Sequence, residues 1–212
     1  MDYFDLLNSG RLLKADLYRY NANTSFKAFL RSYFTVPAFR YTYHLRRVTA
    51  LAPRKKSWVI FFYGMHRILL NRYRFKYGFE ISPSAKIGGG LYLGHFGRIG
   101  VNPGAVLGEN INLSPGVSIG ATNRGPRKGT PTLEDRVWVG TNCNIVGRIT
   151  IGHDALIAPG AYVNFDVPPM AVVLGNPGKI VSGKGSAGYV NNMLDVAETK
   201  RAREEQPTLA TA

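Results

Sequence analysis

Residues 133–163 read LEDRVWVGTNCNIVGRITIGHDALIAPGAYV, and an apolar side chain opens every sixth position: Leu133, Val139, Ile145, Ile151, Ile157 and Val163. Four places after each opener stands a second small or apolar residue: Val137, Cys143, Ile149, Ala155, Ala161 and Val167. An amphipathic helix repeats near every 3.6 residues and a half-buried strand every second one, so neither explains a fixed step of six. Two inward residues per hexad, with Gly, Asn, Pro and Asp free to occupy the turns, predict a parallel β-helix. Each hexad is one flat face, and three faces close a coil.

The same step extends upstream through Ile81, Ile87 and Leu93, then Val101, Leu107, Leu113 and Ile119, with glycine often next to the opener (Gly88, Gly94, Gly108, Gly120, Gly140, Gly152). Thirteen hexads predict a little over four coils. The step fails twice. Between Leu93 and Val101 two extra residues enter GLYLGHFGRIGV, the stretch that carries His95. Such an insertion must bulge outward, and Gly94, Gly97 and Gly100 supply the backbone freedom for it. Between Ile119 and Leu133 the step is eight residues too long, and ATNRGPRKGTPT (121–132) forms a loop there. A histidine on a glycine bulge, followed by a basic loop, marks a candidate site. Other tempting residues read blandly: Cys143 is an inward, packed thiol, His153 a solvated turn residue, and His44 and His66 lie in the helical part without visible partners.

Charge divides the chain. Residues 1–80 hold 15 Lys/Arg against four Asp/Glu and 19 of the 25 aromatic residues, whereas 81–212 hold 12 against nine. Residues 1–78 are predicted as a basic, aromatic-rich helical region of three or four helices, punctuated by Pro37 and Pro53, with NANTS (21–25) as a loop and helix start. Residues 79–182 form the β-helix, and 183–212 a tail of loop, short polar helix and frayed end. A single cysteine excludes an internal disulfide framework. MDYFDLLNSG has no basic and apolar leader pattern, and WVIFFYGMHRILL (58–70) is too short and too charged to span a bilayer. A cytoplasmic setting is expected.

The hexad run with GHFG, the interrupting loop and the closing GNPGKI (175–180) resemble hexapeptide-repeat acyltransferases of the serine-acetyltransferase-like branch. ISPSAKIGGGLYLGHFG is similar to that branch's approach to its active histidine. GVSIGATNRGPRKGTPTLEDRVWVGTN and NFDVPPMAVVLGNPGKI look most like enzymes of capsule and exopolysaccharide clusters. The resemblance implies a left-handed β-helix, a homotrimer and acetyl-CoA as donor, without a metal. It makes His95 the general base that takes the acceptor hydroxyl's proton, a role suited to an imidazole. Glu80 falls where the family has an aspartate that orients the histidine. Since three hexads make an eighteen-residue coil, Glu80 is expected about one coil below His95, within reach of the ring. Thr141 and Pro159 match positions lining the pantetheine channel, and Lys179 matches a lysine near the phosphates. Arg124 or Lys128 could assist there, because phosphates call for Lys or Arg.

Two departures point to the acceptor. Thr130 stands where serine acetyltransferases carry a second histidine, and Gly94 where they carry an aspartate. Loss of acidic groups removes a partner for an ammonium, so a neutral sugar hydroxyl in polysaccharide or lipid-linked glycan assembly is expected. The alternative is O-acetylation of serine in cysteine synthesis, and the non-enzyme alternative is a β-helix scaffold on an anionic surface. The basic, aromatic residues 1–80 suit a cap on the solenoid that also contacts the inner-membrane surface. No nucleic-acid motif accompanies the charge, and nucleic acid is not expected as a partner.

Overall fold

The computed structural model describes residues 3–52 and 57–194. Four helices come first: α1 (Tyr3–Asn21), α2 (Phe26–Thr35), α3 (Pro37–Leu51) and α4 (Ser57–Tyr77). Ser25 caps α2 by accepting the Ala28 N–H at 3.2 Å, and Pro37 opens α3 where its missing N–H costs nothing. Gly78, at φ +76°, ends α4 by donating its N–H to the Arg74 carbonyl.

The rest is a parallel solenoid. Its first face stacks β1 (Phe79–Ile81), β4 (Ile99–Val101), β7 (Ser118–Gly120), β10 (Asn144–Val146) and β13 (Tyr162–Val163). The second stacks β2 (Lys86–Ile87), β5 (Val106–Leu107), β8 (Thr132–Leu133) and β11 (Thr150–Ile151). The third stacks β3 (Tyr92–Leu93), β6 (Asn112–Leu113), β9 (Trp138–Val139), β12 (Leu156–Ile157) and β14 (Val172–Leu174), closed by the antiparallel β15 (Lys179–Ser182). Every hexad opener is buried except the half-buried Ile87, and so is every second inward residue from Ala85 to Val167. The stack reaches nearly five coils. The regular six-step ends at Val163 because Phe165–Pro169 breaks it, and β14 adds one more strand beyond.

Glycine after an opener has a steric reason. A Cβ on Gly88 would come within 2.6 Å of the Gly108 carbonyl oxygen, and one on Gly152 within 2.4 Å of the Pro169 nitrogen. At those corners successive coils approach too closely for any side chain.

The first coil has an open lower edge whose backbone groups need partners. The helices supply them. The Tyr41 hydroxyl lies 3.2 Å from both the N–H and the carbonyl of Ile81, and Tyr20 serves Leu93 in the same way. The fully buried Asp16 pairs with Arg46 at 2.8 Å and accepts the Leu91 N–H, while Arg46 donates to the Ile87 and Gly88 carbonyls. One hydrophobic core runs from Ala38, Leu45 and Leu70 into the solenoid. The tail residues 183–194 are turns, and the expected polar helix of the tail lies outside the described residues.

Candidate active site

His95 sits in the turn that carries the chain from β3 on the third face to β4 on the first. The turn is built from below and above. The Gly97 N–H donates to the Tyr77 carbonyl at the end of α4 (2.9 Å), and the Gly116 N–H one coil up donates to the Arg98 carbonyl (2.6 Å). Gly97 holds φ +141°, and a Cβ there would lie 3.2 Å from the Pro115 ring. The bulge is therefore a fixed shelf rather than slack chain. On it His95 is exposed beside the exposed Phe96, and among the described residues its ring has no hydrogen-bond partner.

Thr141 lies in the turn from β9 to β10 and Pro159 in the turn from β12 to β13, both exposed. These are the same third-to-first-face corner as the His95 turn, two and three coils higher. The Gly160 N–H donates to the Thr141 carbonyl, which locks the two turns together. Lys179, exposed at the start of β15, follows the last turn on that corner. With coils about 4.8 Å apart, Thr141 stands roughly 10 Å and Pro159 roughly 14 Å above the His95 turn. Four of the residues singled out in the sequence thus fall along one edge of the prism.

Glu80 does not join them. The two-residue insertion lengthens the first coil to twenty residues, so the residue paired with Glu80 is Gly100, not one in the His95 turn. His95 is back around the corner, and the Glu80 carboxylate instead accepts from Arg74 at 2.5 Å. Arg124 and Lys128 are also elsewhere in this chain. Their loop joins β7 to β8 at the first-to-second-face corner, where a Thr122–Gly129 bridge folds it into a tab. Arg127 ties the tab to Asp166 at 3.0 Å, and the Thr130 hydroxyl donates to the Gly104 carbonyl at 2.8 Å. Arg124 and Lys128 are exposed on it.

The first face lies between these two edges and carries a cavity of about 460 Å³ under α4. Arg67 and Arg74, on one side of α4, look onto Glu80 and Ser118, and Arg98 enters from the His95 turn. Arg67 and Arg98 have no side-chain partner among the described residues. Neither was singled out in the sequence, although Arg67, Asn71 and Arg74 stand at the four- and three-residue spacing of one helix face. Burial pushes the Tyr41 phenol, at the cavity's base, up to about 12. Cys143 is buried as expected, and burial raises its thiol. Among the described residues no three His, Cys, Asp or Glu side chains cluster to hold a metal ion.

No protein-family model matches the chain. It is 36% identical over 112 residues to the serine acetyltransferase of Bacillus licheniformis, a match covering 53% of this chain and 52% of that protein. With the serine acetyltransferase of Helicobacter pylori it is 34% identical over 121 residues, 57% of this chain and 71% of that protein. The crystal structure of Neisseria gonorrhoeae serine acetyltransferase in complex with serine superposes with a TM-score of 0.66 at 29% identity, over 84% of this chain and 71% of that one. The chain spans about half the length of the Bacillus relatives it matches, 52–57%. These relatives overturn the placement among capsule and exopolysaccharide enzymes and, with it, the sugar or polysaccharide acceptor. Gly94 and Thr130 change only those two motif positions, whereas the folded cavity still presents a carboxylate, Glu80, paired with Arg74, together with the guanidinium groups of Arg67 and Arg98. On the H. pylori match in particular, the chain belongs to the serine acetyltransferase family of hexapeptide-repeat acyltransferases.

Proposed function

We propose that this protein transfers the acetyl group of acetyl-CoA to the hydroxyl of L-serine, with His95 as general base. One observation carries the reading: His95, on its fixed shelf, begins an edge that continues through Thr141 and Pro159 to Lys179. Acetyl-CoA laid along that edge has its phosphates beside Lys179, its pantetheine amides against the exposed turns, and its thioester at His95. The imidazole takes the hydroxyl proton as the serine oxygen attacks the thioester carbon. Collapse of the tetrahedral intermediate breaks the C–S bond, and the imidazolium returns the proton to the departing thiolate.

The first-face cavity suits a zwitterionic acceptor. Arg67 and Arg98 offer guanidinium donors to a carboxylate, and Glu80 would take an ammonium by exchanging it for Arg74, its partner in the structure. A cyclic trimer would set the loop edge of one chain against the His95 edge of its neighbour, a heterologous contact that closes. Arg124 and Lys128 would then reach the donor from the adjacent chain. The single buried cysteine accords with a reducing compartment, and we place the reaction in the cytoplasm.

The test follows thiol release from acetyl-CoA with and without L-serine, and identifies the acetylated product by mass. Serine-dependent release that disappears in His95→Ala supports the reading. A folded protein that releases no thiol in response to serine overturns it, and no release with any hydroxyl acceptor would favour a non-catalytic scaffold.

A further inference from the structure

Between residues 17 and 79 the chain carries thirteen Lys/Arg and no Asp or Glu. Within this segment α4 presents a second face that the proposed chemistry does not use. Phe61 (70% exposed), Ile68 (71%) and Phe75 (77%) stand fully in the open, with Met65 beside them. At 100° per residue these four fall within one stripe of about 80°. The opposite side of α4, through His66, Leu70 and Tyr77, is buried. Of the exposed cations, Arg72 lies within the stripe and Lys76 borders it about 20° beyond its edge, both toward its C-terminal end.

A cap on the solenoid has no need of this stripe, since its buried side already makes the cap. Exposed aromatic and aliphatic side chains in a row, set among cations without a single intervening anion, match the chemistry of an anionic lipid surface. A second copy of the chain fits poorly. It would bring the same all-cationic segment face to face with itself. No helix among the described residues is long and apolar enough to cross a membrane, so the contact is one of lying on the surface.

We propose that α4 docks the protein on an anionic bilayer. The helix lies in the membrane plane, with Phe61, Met65, Ile68 and Phe75 at the boundary between headgroups and acyl chains and Arg72 and Lys76 on lipid phosphates. The cavity beside Glu80 opens on a different flank of the same helix, so docking leaves it free.

The experiment is co-sedimentation of the full chain with vesicles of phosphatidylcholine alone or with roughly 30% phosphatidylglycerol, at about 0.1 M salt. Wild type is expected to partition at least tenfold more strongly onto the phosphatidylglycerol vesicles, by about one order of magnitude for a few added cation contacts. Phe61→Ser/Ile68→Ser should weaken that partition about tenfold, through lost apolar insertion. Arg72→Glu/Lys76→Glu should abolish the preference for anionic vesicles. All four positions are exposed, and thermal melts check that the variants fold. Equal partition onto both vesicle types, or wild-type partition by Phe61→Ser/Ile68→Ser, overturns the proposal. So does a changed sedimentation coefficient in that variant without vesicle binding, which would assign the stripe to a second copy of the chain.

Discussion

His95 is exposed and makes no hydrogen bond with its ring among the described residues, so replacing it removes chemistry without removing support. His95→Ala is expected to lower kcat for acetyl transfer by about 10²–10⁴, the usual worth of a positioned base. The thermal midpoint should stay where it was, which separates loss of the base from loss of the fold. Gly97 gives the complementary case. It touches no substrate, yet its φ of +141° and the Pro115 ring 3.2 Å from a Cβ hold the shelf in place. Gly97→Ala should cost roughly 2 kcal/mol in urea unfolding, through backbone strain of about 1–3 kcal/mol at such a conformation. It should also depress kcat, because the shelf moves. At this scale the repeat shows where the bulge carrying His95 lies but misplaces Glu80. The bulge is visible as a failed six-step, but it also lengthens its own coil from eighteen to twenty residues, so Glu80 pairs in register with Gly100 and not with the His95 turn.

At the scale of elements, the repeat was legible because each hexad obeys the same geometry, whereas Thr141 and Pro159 came from the family resemblance and their common edge from the structure. The helices have no repeat, so their attachments were not legible. Asp16 and Arg46 look like ordinary charges in the sequence, yet they join α1 and α3 to the lower edge of the solenoid. Breaking a buried pair by removing one charge costs about 3–5 kcal/mol, and Asp16→Asn should show a loss of that order in urea unfolding. Replacing both partners with apolar residues often restores such a site. Here it should not. Asp16→Leu/Arg46→Met leaves the buried Leu91 N–H and the partly buried Ile87 and Gly88 carbonyls without their partners, and a buried group left so has a desolvation cost of about 1–3 kcal/mol. The double variant is expected to be no more stable than Asp16→Asn, and recovery to near wild type would mean that the backbone edge finds water instead.

For the molecule as a whole, the helical cap holds a buried histidine pair whose titration acts on stability. His44 and His66 meet Nδ1 to Nδ1 at 2.9 Å, and the Tyr33 hydroxyl lies 3.1 Å from His44 Nε2. Only one ring can donate between the two Nδ1 atoms, so the other must accept there as a neutral imidazole. Tyr33 on α2, Tyr43 and Arg40 on α3, and Tyr73 and His66 on α4 surround His44, and no carboxylate is among them. Burial, then the neighbouring His66 and Arg40, lowers His44 from 6.5 to about 4, and burial with Arg47 lowers His66 as well. In the unfolded chain both rings take up protons as pH falls below 6.5, whereas the folded His44 resists until about 4. The unfolded state then binds more protons, and stability must fall with falling pH through that window. The full effect for His44 alone is roughly 3 kcal/mol, and it is wholly present only above the unfolded value. Asp154, held down chiefly by Arg136, and Asp166, held down by the Thr150 N–H and Arg127, act in the same direction, but only at lower pH, in and below the carboxylate range. Urea unfolding at pH 7.5, 6.0 and 5.0 therefore reads mainly the histidines, and wild type is expected to lose stability steadily across it. His44→Phe/His66→Leu removes both titrating groups and should flatten the slope whatever it does to the absolute stability. An equal slope in that variant would place the proton uptake outside the cap and would leave the buried pair as packing alone.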